Sequence, residues 1–588
     1  LGSYIVADKG LTVGTVDVDA MIVKIDSWLD DALIEANPSS KTEIEFFANK
    51  GFRLFNLAAI ASVTELQADI DKVYEYLTDT FYRSYGLNAQ GDPAYHHLGF
   101  PVDGNQVFQH NFFGAQTNIY GYGLDWYNKA IHEMMFCFDG GTMQLPANLK
   151  EQVQDLLLET RWTTHKNRNL VMTLERQATM NNKSDQFGSI VTSDIDDYLA
   201  NFTGDADASK DTLLGSYTPS STTAGHIIGV KAYPNNEMLI VKTAEAMLAA
   251  KSTSTRTMTL VSGNGYQTDS FNLVPGAWYY DDEGAYDDLP AYDHRNFAGS
   301  LTEQLAEATV PRGTGTARIN YSSTNTYAGA VQQGNIAVLA YQHQRAAWNT
   351  IEANIAHFGL ANCMVTCLSN IQQTGSVGSD VRFTIDQKLW DTANTLTYNT
   401  GSGDVTQSSL FAPISTSISS TTWVHVNNMG YVIMPQGTQT LEIWGESRSG
   451  NWNTFDSSES SSAVNADIFQ LGLNFGTNPS GADAVVIAFP ASTPAAVASF
   501  AASTGITIDQ IDSSAIGITS GSLSAVAFFN SGTVGSITVD QPVLIAKDGS
   551  SVAIADPNQT LTSVTYNANT TVNLPQGRYA GLATIFTE

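Results

Sequence analysis

The amino-acid sequence predicts an α+β multidomain protein with a helical N-terminal part, a large central antiparallel β-sandwich and a small C-terminal β-sandwich. Three observations support this fold class. Apolar residues recur every three or four positions up to about residue 215, short alternating runs between turn residues fill about 220 to 500, and strand texture with few aromatic residues continues to the end. We therefore expect three domains, at 1–215, 216–500 and 501–588.

The N-terminal helices are predicted from amphipathic spacing. One apolar face runs through 16–33 and another through 41–62, and 63–82 begins with residues that suit a helix start. Further helices are expected at 118–138, 146–160 and 190–202. Several antiparallel helices joined by short loops favour a bundle or an α/α toroid.

From about residue 220 onwards, the sequence predicts β-strands. Alternating runs at 226–230, 238–243, 336–341 and 381–385 are typical of a large antiparallel sandwich. Helical spacing in this region is confined to 244–250. Towards the C-terminus, two segments are predicted to be strands of the smaller sandwich, 542–546 and 577–583.

Composition limits the possible functions. The 588 residues exceed a single ordinary core, and the net charge of −30, from 58 acidic and 28 basic residues, argues against nonspecific nucleic-acid binding. No run approaches the length of a membrane span. The first residue is Leu and no basic-then-apolar leader precedes it, so we expect a processed or truncated product.

The three cysteines are expected to be core residues. Cys137, Cys363 and Cys367 are too few for a disulfide framework. Positions four apart on a strand, as predicted for Cys363 and Cys367, lie roughly 13 Å apart, which is too far to bridge. Site chemistry should therefore not depend on them.

A loop at 103–123 is the strongest candidate for a site. It is rich in Gly and Asn, carries His110, Tyr120 and Tyr122, and is followed at once by an amphipathic segment at 124–138. Loops that carry proton-transfer groups and are braced by a helix commonly form active sites. The alternative is a Gly-rich turn whose aromatic side chains pack and whose histidine is solvated.

Several short sequence motifs, spread in order over much of the chain, resemble those of a known protein family. Together with the order of helices, large sandwich and small sandwich, they resemble polysaccharide lyase family 8, which holds the chondroitin, hyaluronan and xanthan lyases. The words are Asp103-Gly104-Asn105, Gln109-His110, Tyr122-Gly123, Ser254-Thr255-Arg256-Thr257, the stretch from Asp293 to Gly299, Trp423-Val424-His425 with Gly430-Tyr431, and the stretch from Arg448 to Trp452.

The resemblance implies β-elimination on a uronic acid, in which the C5 proton is removed and the oxygen at C4 is expelled. His110 would be the base or would help to neutralise the substrate carboxylate. Tyr122 would donate the proton, or act as both acid and base, and Tyr120 replaces it if the loop aligns differently. Arg176, with Arg168 second, would stabilise the tyrosine oxygen and grip the sugar acid.

Further substrate contacts are implied for Asn118, Tyr120, Trp126 and Arg256. For Arg256 the alternative is a surface arginine at a strand edge, and for Arg176 a helix-surface cation paired to an acid. The reaction needs no cofactor and no metal, and the expected partner is an acidic polysaccharide met at the cell surface or after secretion. The acidic residues 281–283 and 287–288 could bind a structural calcium ion through clustered carboxylate oxygens, with a solvated acidic loop as the alternative.

The chain departs from the family pattern at four places. The helical part is short, so the toroid is expected to be incomplete, and the spacing between His110 and Tyr122 is longer than in the relatives. Neither Asn49 nor Asn56 matches the asparagine that neutralises the substrate carboxylate. The glutamate expected soon after Arg256 is missing, and the segment that begins at Met258 stands there.

Two other functions are consistent with the sequence. A noncatalytic cell-surface or filament protein could reuse the lyase fold, which the high Ser, Thr and Gly content and the missing glutamate favour. A glycoside hydrolase would need two carboxylates that face one cleft, for which Asp103 and Asp125 are the pair near the key loop.

Overall fold

The structure is a computed structural model. It describes residues 98–99, 109–111, 115–117, 132, 135, 147–165, 168–169, 183–216, 227–261, 276–280, 286–306, 320–344, 351–374, 378–390, 395–454 and 459–588. The helices expected at 16–33, 41–62 and 63–82 lie outside these residues. Of 118–138, only His132 and Met135 are described, and both are helical.

The chain divides into two compact units. The first comprises 1–160 and 190–216, and the second comprises 161–189 and 217–588. The large and small sandwiches therefore share one unit. Among the described helices, none is long and apolar enough to cross a membrane.

The first described elements are three short strands and three helices. They are β1 (Leu98–Gly99), β2 (Gln109–Asn111), β3 (Ala115–Thr117), α1 (Ala147–Trp162), α2 (Lys183–Phe202) and α3 (Ala208–Gly215). Helices α1 and α2 confirm the two helices expected at 146–160 and 190–202.

Helical packing follows the three- and four-residue spacing of buried side chains. In α2 the buried residues Ile195, Tyr198 and Phe202 share one face. Helix α3 begins where the Asp207 carboxylate accepts a hydrogen bond from the Ser209 amide at 2.7 Å, which satisfies a main-chain donor of the first turn. Gln154 of α1 reaches α3 by donating to Asp211 Oδ1 at 2.6 Å.

Most of the described elements of the second unit are strands. Its first strands are β4 (Thr164–His165), β5 (Arg168–Asn169), β6 (Gly229–Tyr233), β7 (Met238–Lys242), β8 (Met247–Lys251), β9 (Met258–Val261), β10 (Gly276–Tyr280), β11 (Leu301–Glu303), β12 (Asn320–Ser322), β13 (Ala328–Gln333), β14 (Ile336–Gln344), β15 (Ile351–Leu360), β16 (Cys363–Gln373) and β17 (Asp380–Leu389).

The strands of the second unit continue to the C-terminus. They are β18 (Leu396–Asn399), β19 (Asp404–Gln407), β20 (Phe411–Ile418), β21 (Thr422–Val426), β22 (Met429–Ile433), β23 (Gln439–Gly450), β24 (Val464–Thr477), β25 (Ser480–Pro490), β26 (Thr507–Ile511), β27 (Ala515–Ser520), β28 (Leu523–Phe528), β29 (Gly532–Val534), β30 (Ile537–Val539), β31 (Leu544–Asp548), β32 (Ser551–Ala555), β33 (Ser563–Tyr566), β34 (Thr570–Asn573) and β35 (Thr584–Thr587). A helix, α4 (Pro494–Ala502), follows β25. Short 3-10 helices span Tyr286–Ala291, Trp452–Thr454 and Gly577–Tyr579.

A nine-stranded sheet forms the centre of this unit, in the order β13-β14-β15-β16-β25-β22-β21-β18-β19. One face packs on the five-stranded sheet β11-β17-β24-β23-β20 and the four-stranded sheet β10-β8-β7-β6. Its other face packs on the six-stranded sheet β26-β27-β28-β31-β32-β35 and on α4. A second four-stranded sheet, β29-β30-β33-β34, covers the far side of the six-stranded sheet. Because both faces of the central sheet are covered, its inner strands β15, β16 and β22 are almost continuously buried, whereas the edge strand β19 is mostly exposed.

Two sequence predictions about this unit are wrong. Residues 244–250 show helical spacing, but 247–250 lie in β8, which pairs with β7 and β10 inside a sheet. Residues 577–583 are not a strand, because Gly577 and Gly581 adopt φ of 62° and 85° and a 3-10 helix spans Gly577–Tyr579. The strand predicted at 542–546 is found as β31.

Candidate active site

His110, the predicted catalytic histidine, lies on the middle strand of a small antiparallel sheet. Strand β2 pairs with β1 and β3, so His110 is opposite Leu98 on one side and Gln116 on the other. A middle strand is held by main-chain hydrogen bonds on both edges, so the backbone of the predicted base has a defined register. This position replaces the open loop that the Gly- and Asn-rich sequence predicts around 110.

The other predicted site residues of the first 226 positions lie outside the described residues. They are Asn118, Tyr120, Tyr122, Trp126 and Arg176, and with His110 they stay predictions. The second choice, Arg168, lies in β5, opposite His165 in the main-chain register.

Arg256 is the predicted substrate contact that the structure describes. It lies between β8 and β9, and its side chain is only 12% exposed. Its guanidinium donates to Glu237 Oε1 and to the main-chain oxygens of Thr326, Ala328 and Pro557, at 2.6 to 3.2 Å. Arg256 is therefore a partly buried arginine whose guanidinium is bound within the fold. These contacts give Arg256 a role within the fold, and its contact with substrate stays a prediction.

Aromatic residues of β10 alternate between two environments. Ala277 and Tyr279 point into the core between the sheets, whereas Trp278 and Tyr280 lie on the opposite face with ring centroids 6.3 Å apart. Trp278 also packs on Phe297 at 5.9 Å. With 8% and 9% of their surfaces exposed, Trp278 and Tyr280 are packed side chains rather than open platforms for a sugar ring.

The segment from Asp293 to Gly299, which carries one of the family-like words, is held by buried polar contacts. Asp293 is buried and accepts hydrogen bonds from Arg295. Burial acts to raise the pKa of Asp293, but the hydrogen bonds and charge of Arg295 outweigh it and hold the pKa below its ordinary value. Gln387 of β17 accepts from the Asp293 amide at 2.7 Å and donates to the Asn296 carbonyl at 2.9 Å. The segment is thus fixed to the five-stranded sheet.

A β-bulge in β17 brings charged side chains into the core. Thr384 pairs with Gly472 and Asp386 with Leu471, so Ile385 is the extra residue. As a result Ile385 and Asp386 both face inward. The Tyr431 hydroxyl donates to Asp386, and Lys388 Nζ lies 3.4 Å from the same carboxylate. The bulge therefore places a buried ion pair between the two sheets.

A hydrogen-bonded chain of side chains lies beside this ion pair. Thr366 Oγ1 is 2.9 Å from His357 Nδ1 and is also hydrogen-bonded to Tyr279. Burial, with the nearby charge of Asp386, raises the pKa of Tyr279. Burial lowers the pKa of His357 to about 3, so this histidine is neutral at physiological pH. Both residues are fully enclosed, and we assign them to the core rather than to catalysis.

Cations in the described sandwiches have partners inside the fold. Burial lowers the pKa of Lys242 to about 7, helped by Arg161, and that of Lys251 to about 8 in spite of Glu237. Their ammonium groups donate to main-chain carbonyls, as Lys242 does to Arg161 at 2.6 Å. Others pair with carboxylates: Arg256 with Glu237, Arg295 with Asp293, Arg382 with Glu442, Lys388 with Asp386, Arg448 with Glu446 and Lys547 with Glu588. Each of these cations is therefore bound to a group of the fold itself.

Clusters of potential metal ligands and the environment of the thiols can be examined in the described parts of the chain. No group of three or more His, Cys, Asp or Glu side chains there is arranged to hold a metal ion. The acidic residues 281–283 lie outside the description. Cys363 and Cys367 are free and buried, as predicted, and burial raises the pKa of the Cys363 thiol to about 12.

Comparison with known protein families identifies both sandwiches. The model of the polysaccharide lyase family 8 super-sandwich domain matches residues 228–501. That of the family 8 C-terminal β-sandwich domain matches 512–565. A hyaluronate lyase from Thermasporomyces composti is 26% identical over 251 residues, which are 41% of this chain and 31% of that relative's length.

Three solved structures with a similar fold are lyases. A chondroitinase AC lyase has a TM-score of 0.76 at 16% identity over 94% of this chain and 79% of its own. A xanthan lyase from Paenibacillus gives 0.72 at 17% identity over 88% of this chain and 52% of its own. The chondroitin AC lyase of Streptomyces coelicolor A3 gives 0.69 at 17% identity, over 88% and 71%.

The two matched segments follow each other in the family's order and together cover more than half of the chain. The first segment lies in the central sandwich, and the second spans β27 to β33 of the C-terminal sandwich. The chain belongs to polysaccharide lyase family 8.

Proposed function

We propose that the protein is an exported polysaccharide lyase that cleaves a uronic-acid-containing polymer by β-elimination. The observation that carries the proposal is family membership over both sandwiches, residues 228–501 and 512–565. The relatives named above are hyaluronate, chondroitin and xanthan lyases, which supports an acidic polysaccharide as the substrate class. Because a polymer of this kind is met outside the cell, we place the enzyme there.

The proposed reaction uses groups of the N-terminal part. His110 takes the C5 proton or neutralises the adjacent carboxylate, because imidazole titrates near neutral pH. The electron pair of the C5–H bond forms the C4–C5 double bond while the C4–O bond breaks. Tyr122 gives a proton to the departing oxygen; if His110 only neutralises the carboxylate, the deprotonated Tyr122 first takes the C5 proton and then passes it to that oxygen. Arg176 stabilises the tyrosine oxygen and binds the sugar acid. The elimination is redox-neutral, so no redox cofactor is required.

The test is direct measurement of the new double bond. The protein is incubated with hyaluronan, chondroitin sulfates, alginate and xanthan, and ultraviolet absorbance of the unsaturated uronate is followed. We expect activity on at least one polymer and a loss of roughly 100-fold or more in His110→Ala and Tyr122→Phe, the usual contribution of a general acid or base. Tyr120→Phe is tested beside them, because Tyr120 is the alternative proton donor in the same loop. Activity lost in Tyr120→Phe but kept in Tyr122→Phe would reassign the proton donor to Tyr120.

A noncatalytic carbohydrate-binding protein is the second candidate. It is favoured by the residues around Arg256, because Met258 begins the segment in which the family has a glutamate and Arg256 itself is bound within the fold. Binding of a uronate polymer without any rise in absorbance would select this function. Absence of both binding and absorbance change on all four polymers would contradict both candidates.

A further inference from the structure

Glu237 lies at an unusual position in the turn between β6 and β7. Its φ is 50°, in the left-handed region that non-glycine residues seldom occupy, and the residue is only 1% exposed. Its carboxylate accepts hydrogen bonds from the hydroxyls of Ser252, Ser254 and Thr257, at 2.5 to 3.1 Å. The Ser252 amide also donates to the Glu237 carbonyl at 2.9 Å. A backbone strained in this way persists when surrounding contacts over-determine it.

Arg256 connects this carboxylate to the C-terminal sandwich. Nη2 lies 3.2 Å from Glu237 Oε1, 2.6 Å from the Ala328 carbonyl and 2.9 Å from the Pro557 carbonyl. Nη1 donates to the Thr326 carbonyl at 2.8 Å. One guanidinium thus joins the β6–β7 turn, the chain leading into β13, and a C-terminal turn some 300 residues away in sequence. The planar, fork-like guanidinium suits this arrangement better than a lysine ammonium.

The residues next to Thr326 complete the contact with the C-terminal sandwich. The Tyr327 hydroxyl donates to the Phe528 carbonyl at 2.8 Å, and its ring lies 4.9 Å from that of Phe529. The Ala328 amide donates to the Pro557 carbonyl at 3.3 Å. A Cβ on Gly329 would lie 3.1 Å from Pro557 Cα, so the chains are in close contact here. Asp556 holds the C-terminal turn by accepting from the amides of Thr560 and Leu561.

We propose that Arg256 and Glu237 form a lock that couples the C-terminal sandwich to the four-stranded sheet β10-β8-β7-β6. Glu237 gathers the loop between β8 and β9, and Arg256 then ties that loop to Pro557. Breaking the lock frees the C-terminal turn and the β6–β7 turn together. The inference concerns conformational coupling and does not depend on catalytic activity.

Native-state hydrogen exchange of the unmodified protein gives the first test. The amides of Ser252, Ala328, Thr560 and Leu561 are hydrogen-bonded on the two sides of the lock. We expect them to exchange through one shared opening, with the same dependence on denaturant. Exchange of Thr560 and Leu561 through a separate opening of lower free energy would overturn the lock.

Substitution of Arg256 gives the second test. In Arg256→Met we expect exchange at Thr560, Leu561 and Ser252 to accelerate at least about tenfold, and in Arg256→Lys less, because one donor fork is lost but the charge remains. Arg448→Met is the matched control, because Arg448 contacts Glu446 and the Ala291 carbonyl within the central sandwich. Acceleration confined to residues 234–257, with the C-terminal turn unchanged, would overturn the proposal. If Arg256→Met fails to fold, exchange at Thr560, Leu561 and Ser252 is compared between Arg256→Lys and Arg448→Lys. Faster exchange at all three amides in Arg256→Lys supports the lock, and unchanged exchange at Thr560 and Leu561 overturns it.

Discussion

His357 shows what a single buried titratable side chain does to this fold. It lies in β15, wholly enclosed, with its imidazole hydrogen-bonded to Thr366 and stacked 6.1 Å from Tyr341. Burial lowers its pKa to about 3, against an ordinary 6.5. Between these values the unfolded chain binds a proton that the folded chain does not. The free energy of unfolding therefore falls as the pH falls below 6.5.

Replacing His357 should remove this acid sensitivity. One proton contributes about 1.4 kcal/mol per pH unit, so lowering the pH from 7 to 5 should cost the native protein about 2 kcal/mol through His357. In His357→Gln, the unfolding free energy should no longer fall by this amount between pH 7 and pH 5. Urea unfolding at the two pH values measures it.

Thr366→Val is the control for this prediction. It removes the hydroxyl partner but keeps the imidazole, so overall stability should fall by about 1 kcal/mol while the pH slope remains. An equal slope in the unmodified protein and in His357→Gln would contradict the assignment.

At the scale of the element, close contacts between loops and strands decide the packing. Gly299 ends the segment from Asp293 and has φ of 71°. A Cβ there would lie 2.1 Å from the Ala277 amide nitrogen and 2.8 Å from the Gly276 carbonyl carbon, in the edge strand β10. The Gly299 amide also donates to the Thr384 carbonyl at 2.8 Å. Gly299 therefore fixes the distance between the four-stranded and five-stranded sheets.

Gly299→Ala should be strongly destabilising, by about 3 kcal/mol or more, because backbone strain and overlap with β10 add together. Gly378→Ala is a close control, because Gly378 has φ of 72° with nothing within 4 Å of the added Cβ. That change should cost only roughly 1–2 kcal/mol. Thermal and urea unfolding of both variants give the comparison. Equal losses of unfolding free energy in the two variants would mean that backbone strain alone, without overlap with β10, destabilises Gly299→Ala.

At the scale of the whole molecule, charge is the dominant feature. The net charge is −30, and the described lysines and arginines of the sandwiches are largely occupied by internal partners. Like charges at this density repel one another and weaken the folded state, and salt screens the repulsion because the Debye length shortens to about 3 Å at 1 M. The folded state is therefore expected to become more stable as the salt concentration rises.

Sodium chloride should raise the melting temperature of the protein. We expect an increase of several degrees between about 0.05 M and 0.5 M at pH 7, as screening removes self-repulsion. Near pH 5, closer to the pI of about 4.5, the increase should shrink because the net charge is smaller. Differential scanning calorimetry measures both series. A melting temperature that falls with chloride would show that favourable ion pairs outweigh the net repulsion.

The family and the two β-sandwiches were predictable from the sequence, whereas the N-terminal α/α toroid stays a prediction. Alternation in 336–341 and 381–385 indicated strands that the structure has as β14 and β17. The run at 244–250 was misassigned because Ala, Glu and Met favour helices locally, whereas pairing with β7 and β10 decides the outcome. Of the site, His110 can be placed on a strand, and the tyrosine and arginine partners stay predictions.

By itself, the sequence determined the two successive β-sandwiches, the buried state of Cys363 and Cys367, and the lyase family. These features depend on local periodicity and residue type, which a linear chain displays directly. Only the tertiary structure decided that the bulge at Ile385 turns Asp386 inward and that Arg256 reaches Pro557. Such contacts join residues far apart in the chain, and their geometry depends on strand register and sheet packing, which no local pattern encodes.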